Sequence, residues 1–358
     1  MRFAPFWMAF YVLVACWQTA RADAATQAGP SEATSLWAHD NLVAWCLPFD
    51  AKVRSPEERI QMLERLGFKH YAYSWFRSDI PSLESEIVAL QHHKIDLLAA
   101  QCFSEADDPV AKATLDVFRR HDVHPELWVI LPAIGMPRTY DECAKLLPRR
   151  VGAPPTLEEF AKLPREARAR IQTEIGIMFS KDMPKTPEEQ EHRVREGADR
   201  INALVKMAAP YGCRVELYNH NGWFGLEENQ LAIIARLREM GVTGVGMVYN
   251  FSHARDGFHD DSKNFSELWK KMKDHVVAVN ITGMRTDEDV VYPSQGDSEL
   301  DMMRTIHESA WRGPIGLVAE KGGDAEITLG NYIVGLDWLA AELKRPGSGG
   351  PRPFPPNP

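Results

Sequence analysis

Short apolar runs recur along this chain, and between them the apolar residues return every three or four positions. The runs at 42–47, 70–75, 95–100, 126–131, 214–219, 245–250, 276–281 and 315–320 predict eight strands. The intervening stretches carry helix-start signals. Ser55-Pro56-Glu57-Glu58 reads as a capping box with proline in the first turn, opening a helix that Gly67 ends. Thr186-Pro187-Glu188-Glu189 repeats the device before a long helix at 190–209, and Asn229 is the expected cap of a helix over 231–240. Strands alternating with helices mean βαβ units and a parallel sheet, and eight of each predict a single (β/α)8 TIM barrel. An open dinucleotide-binding sheet would need a glycine-rich first turn, which Cys46-Leu47-Pro48-Phe49-Asp50 is not. One connection is too long for the pattern: the 132–185 insertion separates the fourth and fifth strands, and in a barrel it would sit on the active-site face.

The ends of the chain read differently. Residues 1–24 look like an export signal, with Arg2, an apolar run at 3–17 too short for a membrane span, and small-x-small cleavage sites around Ala22. This predicts a periplasmic or extracellular protein. Leu13-Val14-Ala15-Cys16 offers the alternative of a lipoprotein anchored at Cys16. Residues 25–39 read as a linker, 40–343 as the barrel, and the Pro- and Gly-rich 344–358 as a disordered tail. Composition is that of a globular protein, with 44% hydrophobic and 25% charged residues. The formal net charge of -9 and the lack of a basic stripe exclude nucleic acid as the expected partner. Cys46, Cys102 and Cys213 lie in or beside apolar runs and are expected as small buried hydrophobes. His92, His93, His121 and His124 fall near helix ends or loops and are expected to be solvated.

The candidate chemistry lies at the strand ends. Glu216 and Glu320 each close an apolar run, where a carboxylate costs several kcal/mol to desolvate unless it is partnered. If Glu216 points into the barrel, period-two geometry sends Tyr218 and His220 the same way. With Asn250 and Asn280 on the next two strands, four consecutive strands finish on Glu, Asn, Asn and Glu, with His220 and His253 beyond. An oxygen-rich cluster of this kind suits Mn²⁺ or Mg²⁺. Trp223, in a glycine-flanked loop, is a candidate platform for a sugar ring, and Trp45 and Trp75 are either a further aromatic floor or core. Arg285 and Lys321 are candidates to orient hydroxyl or carboxylate groups.

These residues carry a resemblance. Asn41-Leu42-Val43-Ala44-Trp45-Cys46, Leu217-Tyr218-Asn219-His220-Asn221-Gly222-Trp223-Phe224-Gly225 and Gly246-Met247-Val248-Tyr249-Asn250-Phe251-Ser252-His253 resemble a secreted bacterial branch of the xylose isomerase-like TIM barrels. That superfamily contains sugar isomerases and epimerases and the AP endonucleases of the endonuclease IV type. In its epimerases a Glu, an Asp, a His and a Glu on strands five to eight hold one metal, and the two glutamates serve as acid and base. The resemblance implies Glu216 and Glu320 for those glutamates and His253 for a substrate hydrogen-bonder. Asn250 replaces the Asp and Asn280 the His, which removes a charge and a nitrogen donor and weakens any metal held there. The extra histidines of the endonuclease branch have no counterpart in this chain. The implied activity is that of an exported isomerase or epimerase on a non-phosphorylated sugar or keto-sugar, by proton abstraction alpha to a carbonyl. β-Elimination from a 3-keto-glycoside begins with the same step, and a carbohydrate-binding barrel without turnover is the reading that Asn250 and Asn280 favour.

Overall fold

Eight parallel strands close into a barrel, with each strand paired to its sequence neighbour and the eighth to the first. This computed structural model describes residues 35–47, 50–74, 80–131, 183–220, 222–255, 260–285, 290–321 and 323–354; the side chains of Ile80, Pro81, Pro109 and Glu320 are not among what it describes. The strands are β1 (Leu42–Trp45), β2 (His70–Ser74), β3 (Asp96–Gln101), β4 (Glu126–Val129), β5 (Val215–Tyr218), β6 (Gly246–Asn250), β7 (Val276–Ile281) and β8 (Ile315–Val318). The helices are α1 (Pro56–Arg65), α2 (Ile80–His93), α3 (Pro109–Arg120), α4 (Pro187–Ala208), α5 (Glu227–Glu239), α6 (Phe265–Met272), α7 (Glu299–Glu308) and α8 (Ala325–Lys344). The expected (β/α)8 TIM barrel is the observed fold. The 132–185 insertion lies outside the described residues except for its last three positions, as do the export signal, Cys16, Trp75 and Cys143. No helix among the described residues is long and apolar enough to cross a membrane.

Alternation along the strands builds two apolar compartments. Leu42, Tyr71, Leu127, Leu217, Met247, Val279 and Leu317 face outward into the helix layer. Val43, Trp45, Ala72, Ala99, Trp128, Tyr218, Val248, Ala278 and Val318 fill the barrel interior. Local signals place the helices. Ser55 Oγ accepts from Glu58 N while Glu58 accepts from Ser55 N, so the capping box opens α1 as expected. Thr186 caps α4 through Glu189 N. Asn229 is not a cap: α5 begins two residues earlier, and Asn229 lies buried within it, donating to the Trp223 carbonyl.

Two terminal segments pack where the sequence predicts a linker and a disordered tail. Leu36 and Trp37 are 4% exposed and belong to the core. Beyond α8, Glu342 accepts from Gly347 N and Gly349 N, and Trp338 Nε1 donates to the Gly350 carbonyl. Arg352 donates to the Ser294 and Gly296 carbonyls and lies over the Trp338 ring, and Phe354 packs on Tyr292. Glycines with positive φ, Gly347 at +82° and Gly350 at +71°, supply the turns, so composition that cannot build a core still docks onto one.

Candidate functional site

The C-terminal ends of β5, β6 and β7 meet inside the barrel around one oxygen, the Tyr218 hydroxyl. Trp45 Nε1 donates to it at 3.1 Å and Asn250 Nδ2 at 2.6 Å, with Asn280 Nδ2 at 3.5 Å. The Asn250 amide is oriented by its own backbone: its Oδ1 accepts from Ser252 N at 3.0 Å, capping the short turn Phe251–His253 and leaving Nδ2 aimed at Tyr218. Asn219, next to Tyr218, braces the same corner. Its Oδ1 accepts from Asn250 N at 2.6 Å, and its Nδ2 donates to Glu227 on α5 and to the Asn250 carbonyl. Asn280 fits because Gly316 faces it; a Cβ on Gly316 would stand 1.9 Å from Asn280 Oδ1. Trp45 and Trp128 complete the floor, with ring centroids 4.9 Å apart and each about 6 Å from Tyr218.

His220 and His253 stand just beyond this floor, their rings 4.3 Å apart, with His253 edge-on to Tyr218. Both are half-buried, so these two expected substrate binders are brought together at the barrel mouth. Lys321, exposed just past β8, places its ammonium 5.0 Å over the Tyr292 ring. Arg285 is elsewhere. It lines a cavity of about 480 Å³ with Gln295, Asp297, Ser298, Trp338 and Arg352, beside the docked tail.

Glu216 does not join this group. It is fully buried near the N-terminal end of β5, where its Oε2 accepts from Gly246 N at 2.6 Å. Gly246 precedes Asn250 by four residues on β6, about 13 Å of strand. The absence of a side chain on Gly246 makes the room, since a Cβ there would lie 2.7 Å from the Glu216 carboxylate. Around Glu216 are Glu126 and Arg214, with Arg214 Nε 3.4 Å from Oε1. Burial, helped by the Glu126 charge, pushes the Glu216 carboxyl up to about 8, against the pull of Arg214 and the Gly246 amide. Glu216 therefore leaves the expected acid-base pair and the expected ligand set of Glu216, Asn250, Asn280 and Glu320. The next inward residue of the strand, Tyr218, takes the place given to it. Glu320 follows β8 in a short turn, Ala319–Lys321, and its side chain lies outside the described residues.

The sugar-platform reading of Trp223 is also corrected. The loop folds into a short turn, Trp223–Gly225, that leaves Trp223 only 4% exposed. Its Nε1 donates to Gln190 on α4, and the Arg193 guanidinium lies 6.0 Å from its ring. Gly225 allows this packing, because any Cβ there would overlap the His220 carbonyl.

The described residues of the centre do not by themselves suit a divalent cation. A hard cation needs converging oxygen lone pairs. Here the amide and indole N–H groups converge instead, Asn250 Oδ1 accepts from Ser252 N, and Asn280 Oδ1, which has no hydrogen-bond partner, is turned toward Gly316 while its Nδ2 faces the Tyr218 hydroxyl. A group of side chains compatible with a divalent ion does exist among the described residues, but on the outside of the barrel. Glu57 on α1 and His92 and His93 on α2 bring one ligand atom each within 4.8 Å of one another. His93 is not solvated as expected; it bridges Glu57 at 2.9 Å and Glu64 at 2.8 Å, and both bonds hold its imidazole above the usual histidine range. Linear spacing could not show this group, because two helices supply it. Cys46, Cys102 and Cys213 are buried, as expected.

No family model and no curated protein sequence matches the chain. Solved structures do. An "IOLI protein with a binding zinc atom" is 13% identical, with 84% of this chain and 98% of that one covered and a TM-score of 0.54. A D-allulose 3-epimerase from Methylomonas sp. is 11% identical over 82% and 96%, with a TM-score of 0.50. A xylose isomerase domain containing protein from Salmonella typhimurium LT2 is 10% identical over 81% and 92%, with a TM-score of 0.49. Identities this low establish the fold alone, a closed (β/α)8 barrel.

Proposed function

We propose that this protein is a sugar isomerase or epimerase-like barrel that takes a non-phosphorylated sugar or keto-sugar at the C-terminal strand ends, and that it works outside the cytoplasm. The observation that carries the reading is the floor of Tyr218, Asn250 and Asn280 with the paired imidazoles of His220 and His253 above it. Neutral donors and acceptors over an aromatic base match hydroxyl groups and a sugar carbonyl. Arg285 lies off to one side, and Lys321 is held against Tyr292, so the described residues gather no basic cluster of the kind a phosphate calls for. With Glu216 removed from the pair, Glu320 and the His220–His253 pair become the groups that carry the proton alpha to the carbonyl, imidazole being suited to either direction of transfer near neutral pH. β-Elimination from a 3-keto-glycoside shares this first step.

The test is solvent-deuterium exchange into a panel of keto-sugars and 3-keto-glycosides, followed by NMR. Exchange should vanish in Glu320→Gln and fall at least about 100-fold in His253→Asn, the lower end of a general acid-base contribution. A second reading, sugar binding without turnover, is favoured by the neutral hydrogen bonds that occupy both ends of the Asn250 amide. Saturable sugar binding with no exchange into any substrate would replace the first reading by the second.

A further inference from the structure

We infer that the strand-end centre is organised around the Tyr218 hydroxyl in place of a divalent cation, and that it excludes such a cation. This deepens the reading above by naming what holds the middle of the same site. Its test needs no sugar, so the two stand or fall separately.

Three features point the same way. First, two of the groups aimed at Tyr218 Oη can only donate. Indole Nε1 has no lone pair to offer, and the Asn250 amide cannot turn its oxygen inward without breaking its bond from Ser252 N. Second, these donors are buried: Trp45 is 1% exposed, and Asn250 and Asn280 are fully buried. Their N–H dipoles therefore act through a weakly screening interior and give the centre a positive potential, which repels a cation and favours an electron-rich oxygen. Third, the one expected carboxylate whose side chain is among the described residues, Glu216, is held by the Gly246 amide at the other end of the β5–β6 seam. An oxygen atom at the middle, belonging to Tyr218, satisfies the ring of donors that a cation would leave opposed to it. In this arrangement the charge developing on a substrate oxygen falls to the imidazoles of His220 and His253, and Tyr218 serves as a positioning residue that holds His253 edge-on.

The experiment is calorimetric titration of the purified full chain with Mn²⁺, Mg²⁺ and Zn²⁺. Because Glu57, His92 and His93 form a separate surface group, the titration is repeated in a His92→Ala/His93→Ala background. The expected result is no saturable binding in that background up to about 1 mM, the weak end of functional hard-cation sites. In the same background, Asn250→Asp with Asn280→Asp replaces inward N–H donors by carboxylates of nearly the same shape. This variant should gain one Mn²⁺ site at least about 10-fold tighter than that limit, with Mn²⁺ raising its Tm. Stoichiometric Mn²⁺ binding in the His92→Ala/His93→Ala protein that disappears on Asn250→Ala or Asn280→Ala would overturn the inference. That arm does not depend on the aspartate variant folding.

Discussion

Replacing Glu216 by glutamine tests the placement of this carboxyl more directly than any other single change. In the native barrel the group is fully buried, and its pKa stands at about 8 against 4.5 when exposed. The folded chain therefore keeps a proton that the unfolded chain has already released between those values. The sign follows from linkage: the stabilisation is complete below pH 4.5 and is lost as the pH rises through about 8. At 1.36 kcal/mol per pH unit, the full span amounts to about 5 kcal/mol. Glutamine copies the protonated form, keeps an oxygen for the Gly246 amide, and does not titrate. Its own cost is an amide group near Arg214, about 1 kcal/mol. Urea unfolding followed by tryptophan fluorescence should give near-equal stabilities at pH 5 and a glutamine variant about 3–4 kcal/mol more stable than the parent at pH 9. Equal destabilisation of the variant at every pH would mean that Glu216 is ionised and paired with Arg214, and the placement argument would be wrong. Loss of deuterium exchange in the variant would restore Glu216 to the chemistry.

Three further outcomes are expected. Tyr218→Phe strips the acceptor from two buried donors, Trp45 Nε1 and Asn250 Nδ2, and should cost about 2–4 kcal/mol of unfolding free energy; a loss below about 0.5 kcal/mol would mean the ring of donors is satisfied some other way. Gly316→Ala should cost about 1–3 kcal/mol, because its methyl would occupy the place of Asn280 Oδ1, and a Gly316→Ala/Asn280→Ala double variant should recover part of that loss. Arg352→Ala removes the bonds to the Ser294 and Gly296 carbonyls and the contact with Trp338, so hydrogen exchange at residues 292–298 should accelerate while the barrel strands stay protected.

Much of the fold was legible in the sequence, because a two-sided parallel strand writes itself as a short apolar run and its helix announces itself with a cap. All eight strands fall within two residues of their predicted limits. The site was legible by face and illegible by depth. Alternation places Glu216, Tyr218 and His220 on one side of β5, yet it does not say which of the three reaches the open end. Desolvation reasoning favoured the carboxylate as the working group. The structure gives it a different solution, a glycine hole and a backbone amide on the neighbouring strand. Trp223 failed for a related reason: its partners Gln190 and Asn229 come from two helices, and no local pattern in the loop contains them. The metal-compatible surface group of Glu57, His92 and His93 is likewise a product of helix packing.

Gly246 and Gly316 also bear on how the barrel keeps its alignment. Each faces a polar side chain from the adjacent strand, Glu216 across the β5–β6 seam and Asn280 across the β7–β8 seam. Sliding either seam by one residue would turn that polar group toward the helix layer and bring Met247 or Leu317 opposite it. A slip by two would set the carboxylate against Val248 or the carboxamide against Val318, with no cavity to receive either. Interior apolar residues of similar size tolerate such offsets, since one valine packs much like another. A polar side chain that fits a single glycine gap does not. The two seams thus act as register keys on either side of β6 and β7, holding the stagger that a closed eight-stranded barrel requires.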